Sequence, residues 1–190
     1  MNEVNDIVDR AKSGLLSKRE VSKIARELAA GIAKDPYTAI HVLGLMNSIE
    51  HEQLVARYLR SSDDPMIARI ALQVLSANWG LAERYRSAIE EFARGVAWDS
   101  DADVRLAALS AAGELARASG DAPLVALLLS VLDDEGNPRL VRQAAYFALA
   151  RASGKDWREL PPASRRLDLA YDLDGSVLRW ARASSVAAMK

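Results

Sequence analysis

The chain has 190 residues, half of them apolar and 27% charged, the make-up of an ordinary globular protein. It has no cysteine, which excludes disulfides and thiolate metal sites, and no uncharged apolar run long enough to span a bilayer. The net charge of −1 divides unevenly, with 15 Lys/Arg against 21 Asp/Glu in residues 1–137 and 10 against 5 in residues 138–190. Such asymmetry either reflects separately solvated faces or steers an oppositely patterned partner. The opening MNEVNDIVDRAKSG has acids and no apolar core behind a basic start, so it does not read as a signal peptide, and a cytoplasmic location is expected.

Taken in order, residues 2–14 predict a short amphipathic helix with Val4, Ile7, Val8 and Ala11 on one face and Gly14 at its end. Ser17 and Glu20 have capping-box spacing for a second helix over 18–34, striped by Val21, Ile24, Ala25 and Leu28. Asp35-Pro36 starts a third helix, Asn47-Ser48 breaks it, and 50–60 is its partner. Asp64-Pro65 starts the next, with a break at Asn78-Trp79-Gly80 and a partner helix over 81–98 burying Leu81, Tyr85, Ile89, Phe92 and Val96. Residues 100–118 form a further helix, Gly120 stops it, and Asp121 caps an apolar helix through Leu132 that is expected to be the most buried. A turn over 133–138 leads to a helix over 140–152. Beyond Ser153-Gly154 a longer connection containing Trp157 and Pro161-Pro162 precedes a helix over 163–171. Ser176 is expected to cap a last helix with Val177, Leu178, Ala181, Val186 and Met189 inward and Arg179 and Arg182 outward.

Several of these segments copy one another. A shift of 37 positions lays Val104-Arg105 on Val141-Arg142. The same shift backwards lays Asp101, Val104, Ala108 and Leu109 on Asp64, Ile67, Ala71 and Leu72, and a further 29 takes Asp64-Pro65 to Asp35-Pro36. Repeats of such length filled with helical pattern are the signature of helix-pair solenoids. The copies resemble the first helix of HEAT repeats: an Asp or Pro turn, then Val-Arg, then Ala-Ala and Leu, as in Asp101, Val104, Arg105, Ala107, Ala108 and Leu109. The Asp64 copy has Ala68 where the Arg belongs, and the Asp35 copy has Ala39.

The resemblance implies an all-α, right-handed α-solenoid of about five stacked antiparallel helix pairs with degenerate capping helices at both ends. Residues 1–190 then form one HEAT-like domain: a capping pair over 1–34, repeats over 35–62, 63–99, 100–136 and 137–172, and a capping helix over 173–190. It further implies that Arg105 and Arg142 are structural, pairing with Asp101, Asp103 or Asp134. Trp79 and Trp98 are expected to plug gaps between repeats, with Trp157 and Trp180 in the irregular C-terminal part.

No catalytic constellation overlies this pattern. His41 sits among apolar helix residues, and His51 lies between Glu50 and Glu52, neighbours that point different ways on a helix. There is no nucleophile elbow and no phosphate-binding glycine loop. The paired acids Asp63-Asp64, Glu90-Glu91 and Asp133-Asp134 read as caps and solvated charge. The expectation is therefore a binding protein rather than an enzyme, with no cofactor and no metal. The exposed sides of the second helices would carry its docking residues: Gln53, Arg57, Arg60, Glu83, Arg86, Glu90 and Arg94, extended by Arg165 and Arg166. Their mixed signs point to a protein partner, since a phosphate backbone calls for an uninterrupted basic stripe.

By resemblance to short free-standing bacterial HEAT-like proteins, the concrete form is an immunity protein that binds and neutralises a cognate toxin domain, acting as a monomer or weak dimer. The excess of Arg over Lys, 19 to 6, fits a GC-rich bacterial source. The alternatives are a nucleic-acid-binding helical-repeat protein that uses the basic C-terminal part, and a scaffold or lyase-like HEAT protein.

Overall fold

Short side chains that accept backbone N–H groups set where the helices begin. In the computed structural model, which describes residues 3–162 and 165–187, α1 (Glu3–Lys12) and α2 (Lys18–Ala29) are joined through the capping box of Ser17 and Glu20. Both reciprocal bonds of that box form, at 3.3 and 2.8 Å, and Arg10 of α1 reaches Glu20 at 2.6 Å. Asp35 caps α3 (Pro36–Leu45) through the Thr38 N–H, and Asp64 caps α5 (Pro65–Gln73) through the Met66 N–H. Each is followed by a proline at the first helical position, where no N–H is needed. Between them, α4 (Glu52–Arg57) is extended at both ends by 3₁₀ turns, Ile49–His51 and Tyr58–Arg60, and α5 runs into a π-helical turn, Val74–Asn78.

The chain forms two compact units, residues 1–85 and 86–190. In the first, α1, α2 and α5 each pack on α3, which buries Ala39, Ile40, Val42 and Leu43. The second contains α6 (Arg86–Arg94), α7 (Asp103–Ser119), α8 (Ala122–Asp133), α9 (Arg139–Ala152) and α10 (Gly175–Ala187). Here α7 lies along α9, while α8 packs against both α6 and α10. The α7–α9 contact is made by small residues. A Cβ on Gly113 would stand 2.8 Å from the Ala148 backbone, so the two helices approach as closely as a glycine allows. Among the described residues every regular element is helical, and no helix is long and apolar enough to cross a membrane.

Several expectations need correction. The helix predicted over 18–34 stops at Ala29. The helix predicted over 81–98 is only α6. Its first part is a turn held on Glu52 by Arg84 and by the Tyr85 hydroxyl, the latter at 2.7 Å, and Gly95 ends the helix with a φ of 102° that favours glycine. Ile89 and Phe92 are buried as expected, but Leu81, Tyr85 and Val96 are half-buried. The helix predicted from residue 100 begins at Asp103, where Asp99 receives the Arg105 N–H at 2.9 Å across an Ala102 in the left-handed region.

No helix forms over 165–172; Asp168 and Asp172 hold those residues in turns. The cap of α10 is Asp174, which accepts from both the N–H and the hydroxyl of Ser176, and Val186 is exposed. α9, with eight of its 14 residues buried, is more enclosed than α8, with six of 12. Met189, the Val4 side chain and the predicted helix start at Ala163 lie outside the described residues.

The two repeat arginines hydrogen-bond to carbonyls, while Asp134, one of the acids expected, acts on Arg105 through its charge. Arg105 Nε donates to the Ala93 carbonyl at 3.0 Å and Arg142 Nε to the Leu132 carbonyl at 2.8 Å. Both acceptors belong to the last turn of the preceding helix, where carbonyls lack intrahelical donors and the helix end is negative. Burial lowers the pKa of Arg105, opposed by the charges of Asp134 and Asp99.

Candidate functional site: an apolar groove on the second unit

A concavity of the second unit lies on α7 and α9. Ala144, Phe147, Ala148 and Arg151 follow one another at helical spacing and form a single stripe of α9, with Leu106 and Ser110 of α7 beside them. The opposite wall is the connection after α9, which contributes Trp157, Arg158, Leu160, Pro161 and Pro162. Together they enclose a groove of about 760 Å³.

The wall is positioned by polar contacts. Arg151 donates to the Lys155 carbonyl at 2.7 Å and to Glu114 of α7 at 2.8 Å, fastening the start of the connection to both helices. Lys155 pairs with Asp174 at 2.8 Å. That contact raises the Lys155 pKa and, with the Ser176 bonds, holds the Asp174 carboxyl well below the usual range. A 3₁₀ turn, Trp157–Glu159, follows, closed by reciprocal bonds between Asp156 and Glu159. It leaves the Trp157 side chain 67% exposed, with the Arg158 guanidinium 5.3 Å from the ring centroid.

Further along, the buried Gln143 amide donates to the Arg165 carbonyl at 2.8 Å and accepts the Leu167 N–H at 3.1 Å. Arg139 also donates to the Leu167 carbonyl, and the Tyr146 hydroxyl accepts the Asp174 N–H at 3.0 Å. One face of α9 thus fastens an irregular segment over the core, and Leu167 is fully buried beneath it.

The predicted docking residues fall in several places. Gln53 and Arg57 are exposed on α4, Arg60 is exposed in the 3₁₀ turn after it, and Glu83 is exposed in the turn before α6. On α6 the structure brings Arg86, Glu90 and Arg94 into one ion-pair ladder, extended by a 2.6 Å contact from Arg86 to Asp121. Asp121 also caps α8, so Arg86 ties two helices together. Arg165 and Arg166 are exposed, and Arg165 lies 3.5 Å from Asp172. None of these nine lines the groove.

The groove residues carried one sequence signal: Trp157, Leu160 and the proline pair are large apolar side chains in a stretch without helical periodicity. Trp79 is buried, Trp98 packs edge-on against Phe92 with ring centroids 5.8 Å apart, and Trp180 is half-buried. Burial and the charge of Lys12 lower the pKa of His41, which is half-buried near Tyr37. Among the described residues no three His, Asp or Glu side chains converge as a metal site.

Comparisons of the chain with protein-family models, with curated proteins and with solved structures find no match. The groove has an apolar floor, an aromatic side chain at one wall and arginines at its edge.

Proposed function

We propose that this chain is a non-catalytic, HEAT-like helical-repeat protein that works by binding another protein. The observation that carries the reading is the groove with Trp157 held out in solvent beside Arg158, since tryptophan and arginine next to an apolar recess are the residue types that dominate protein–protein binding energy. A volume of about 760 Å³ falls within the range of ligand-binding clefts and admits several side chains.

In its most concrete form the partner is a cognate toxin domain and the chain is its immunity protein, cytoplasmic, monomeric or weakly dimeric, and folded as a right-handed solenoid of about five helix pairs. That form draws its support from the resemblance of the repeated Val-Arg segments to HEAT repeats. Co-expression with the product of the neighbouring gene tests it. The expected outcome is a co-purifying complex and restored growth of cells that the neighbour alone arrests. Separate elution together with undiminished toxicity would sink the immunity reading.

A further inference from the structure

We propose that the groove between α9 and the Trp157–Pro162 connection receives a short acidic–apolar segment of the partner protein, a large apolar side chain entering the recess and a neighbouring carboxylate meeting Arg158. This rests on the protein-binding reading above and names the chemistry recognised. The recess is walled by Ala144, Phe147, Leu160 and Pro161, which offer an inserted polar group nothing to bond and an apolar one a dry contact. The charge at its edge is of one sign, from Arg158 and Arg151.

The two arginines are not equivalent. Arg151 already holds Glu114 and the Lys155 carbonyl, so its task is to position the wall. Arg158 is exposed and lies over the Trp157 ring, which presents a planar guanidinium suited to a two-pronged carboxylate contact. The surrounding sequence favours an acidic visitor, since residues 138–190 carry 10 Lys/Arg against 5 Asp/Glu. A nucleic-acid strand fits less well. The groove offers two cations rather than a row that could follow successive phosphates.

The test is selection of a random phage-displayed dodecapeptide library on the full-length protein, followed by fluorescence polarisation of the selected peptides. Selected sequences are expected to place Leu, Phe or Trp next to Asp or Glu. Their affinity should fall about tenfold on Arg158→Glu and on Trp157→Ala, and stay unchanged on Arg179→Glu, an exposed position of α10. Both groove positions are exposed, so these variants keep the fold, which thermal melts verify. A selection that yields no binders, binders without acidic residues, or binders indifferent to both substitutions would overturn the proposal. Equal competition by a short duplex DNA would overturn it too, in favour of a polyanion site. Any of these removes the groove assignment alone, because co-expression with a whole partner judges protein binding separately.

Discussion

Gln143 is a polar residue on the most enclosed face of α9, and its two amide bonds treat the 165–167 backbone as an adjacent strand would. Leucine at this position would fill the space but leave the buried Leu167 N–H unpaired. Gln143→Leu is therefore expected to destabilise the protein by about 1–3 kcal/mol. Urea unfolding measures the loss, with faster amide exchange at Leu167; unchanged stability and exchange would show that the clamp is dispensable.

A second residue-scale prediction concerns Tyr85. Burial, then its bond to Glu52, pushes its pKa from the ordinary 10 up to about 12. Between those values the unfolded chain has lost a proton that the folded chain keeps. This contribution is thus complete below pH 10 and disappears as the pH rises toward 12. In an alkaline absorbance titration of the five tyrosines, a late step is expected that Tyr85→Phe removes, and superimposable curves would refute the assignment. Gln143 was not marked in the sequence by its type, because a polar residue in a helix reads as solvent-facing until a partner from a distant segment is placed against it. Tyr85 reads as buried in the sequence, but its bond to Glu52 is not legible there.

At the scale of elements, Gly113 shows how small residues set helix spacing. Alanine has the higher helix propensity by about 1 kcal/mol. Its Cβ would nonetheless meet the Ala148 backbone at 2.8 Å, and backbone yields far less than a side-chain tip. Packing should win. Gly113→Ala is expected to lower stability by about 1–3 kcal/mol in thermal or urea melts, and a gain would mean that α7 and α9 part without loss.

Helix starts were legible at Ser17, Asp35, Asp64 and Asp121, where the capping residue lies within three positions of its N–H partner. The start of α7 was not, because Asp99 reaches six residues ahead past the left-handed Ala102. The helix predicted over 163–171 fails, among the residues described there, for a related reason. Its local pattern permits helix, but the bonds from Gln143, Arg139 and Asp172 hold its backbone in turns.

At the scale of the molecule, the 37-residue period is visible inside the second unit as direct contact. Glu114 and Arg151 occupy equivalent positions of successive copies and form an ion pair, and Arg105 and Arg142 each bond the last turn of the preceding helix. The groove draws on the same register, since Ser110 and Phe147 are also 37 positions apart. The proposed immunity role belongs to this scale, a whole chain against a whole toxin domain, and co-expression with the neighbouring gene product tests it.

The sequence by itself determined the all-helical character, most helix boundaries and the repeat of the Val-Arg segments. These follow from hydrogen bonds and side-chain stripes that act within one or two helical turns. Only the tertiary structure decided which carbonyls Arg105 and Arg142 hold, what Gln143 clamps, and that residues from Leu106 to Pro162 close around one recess. Those contacts join groups 10 or more residues apart, so they exist only once packing has brought the segments together.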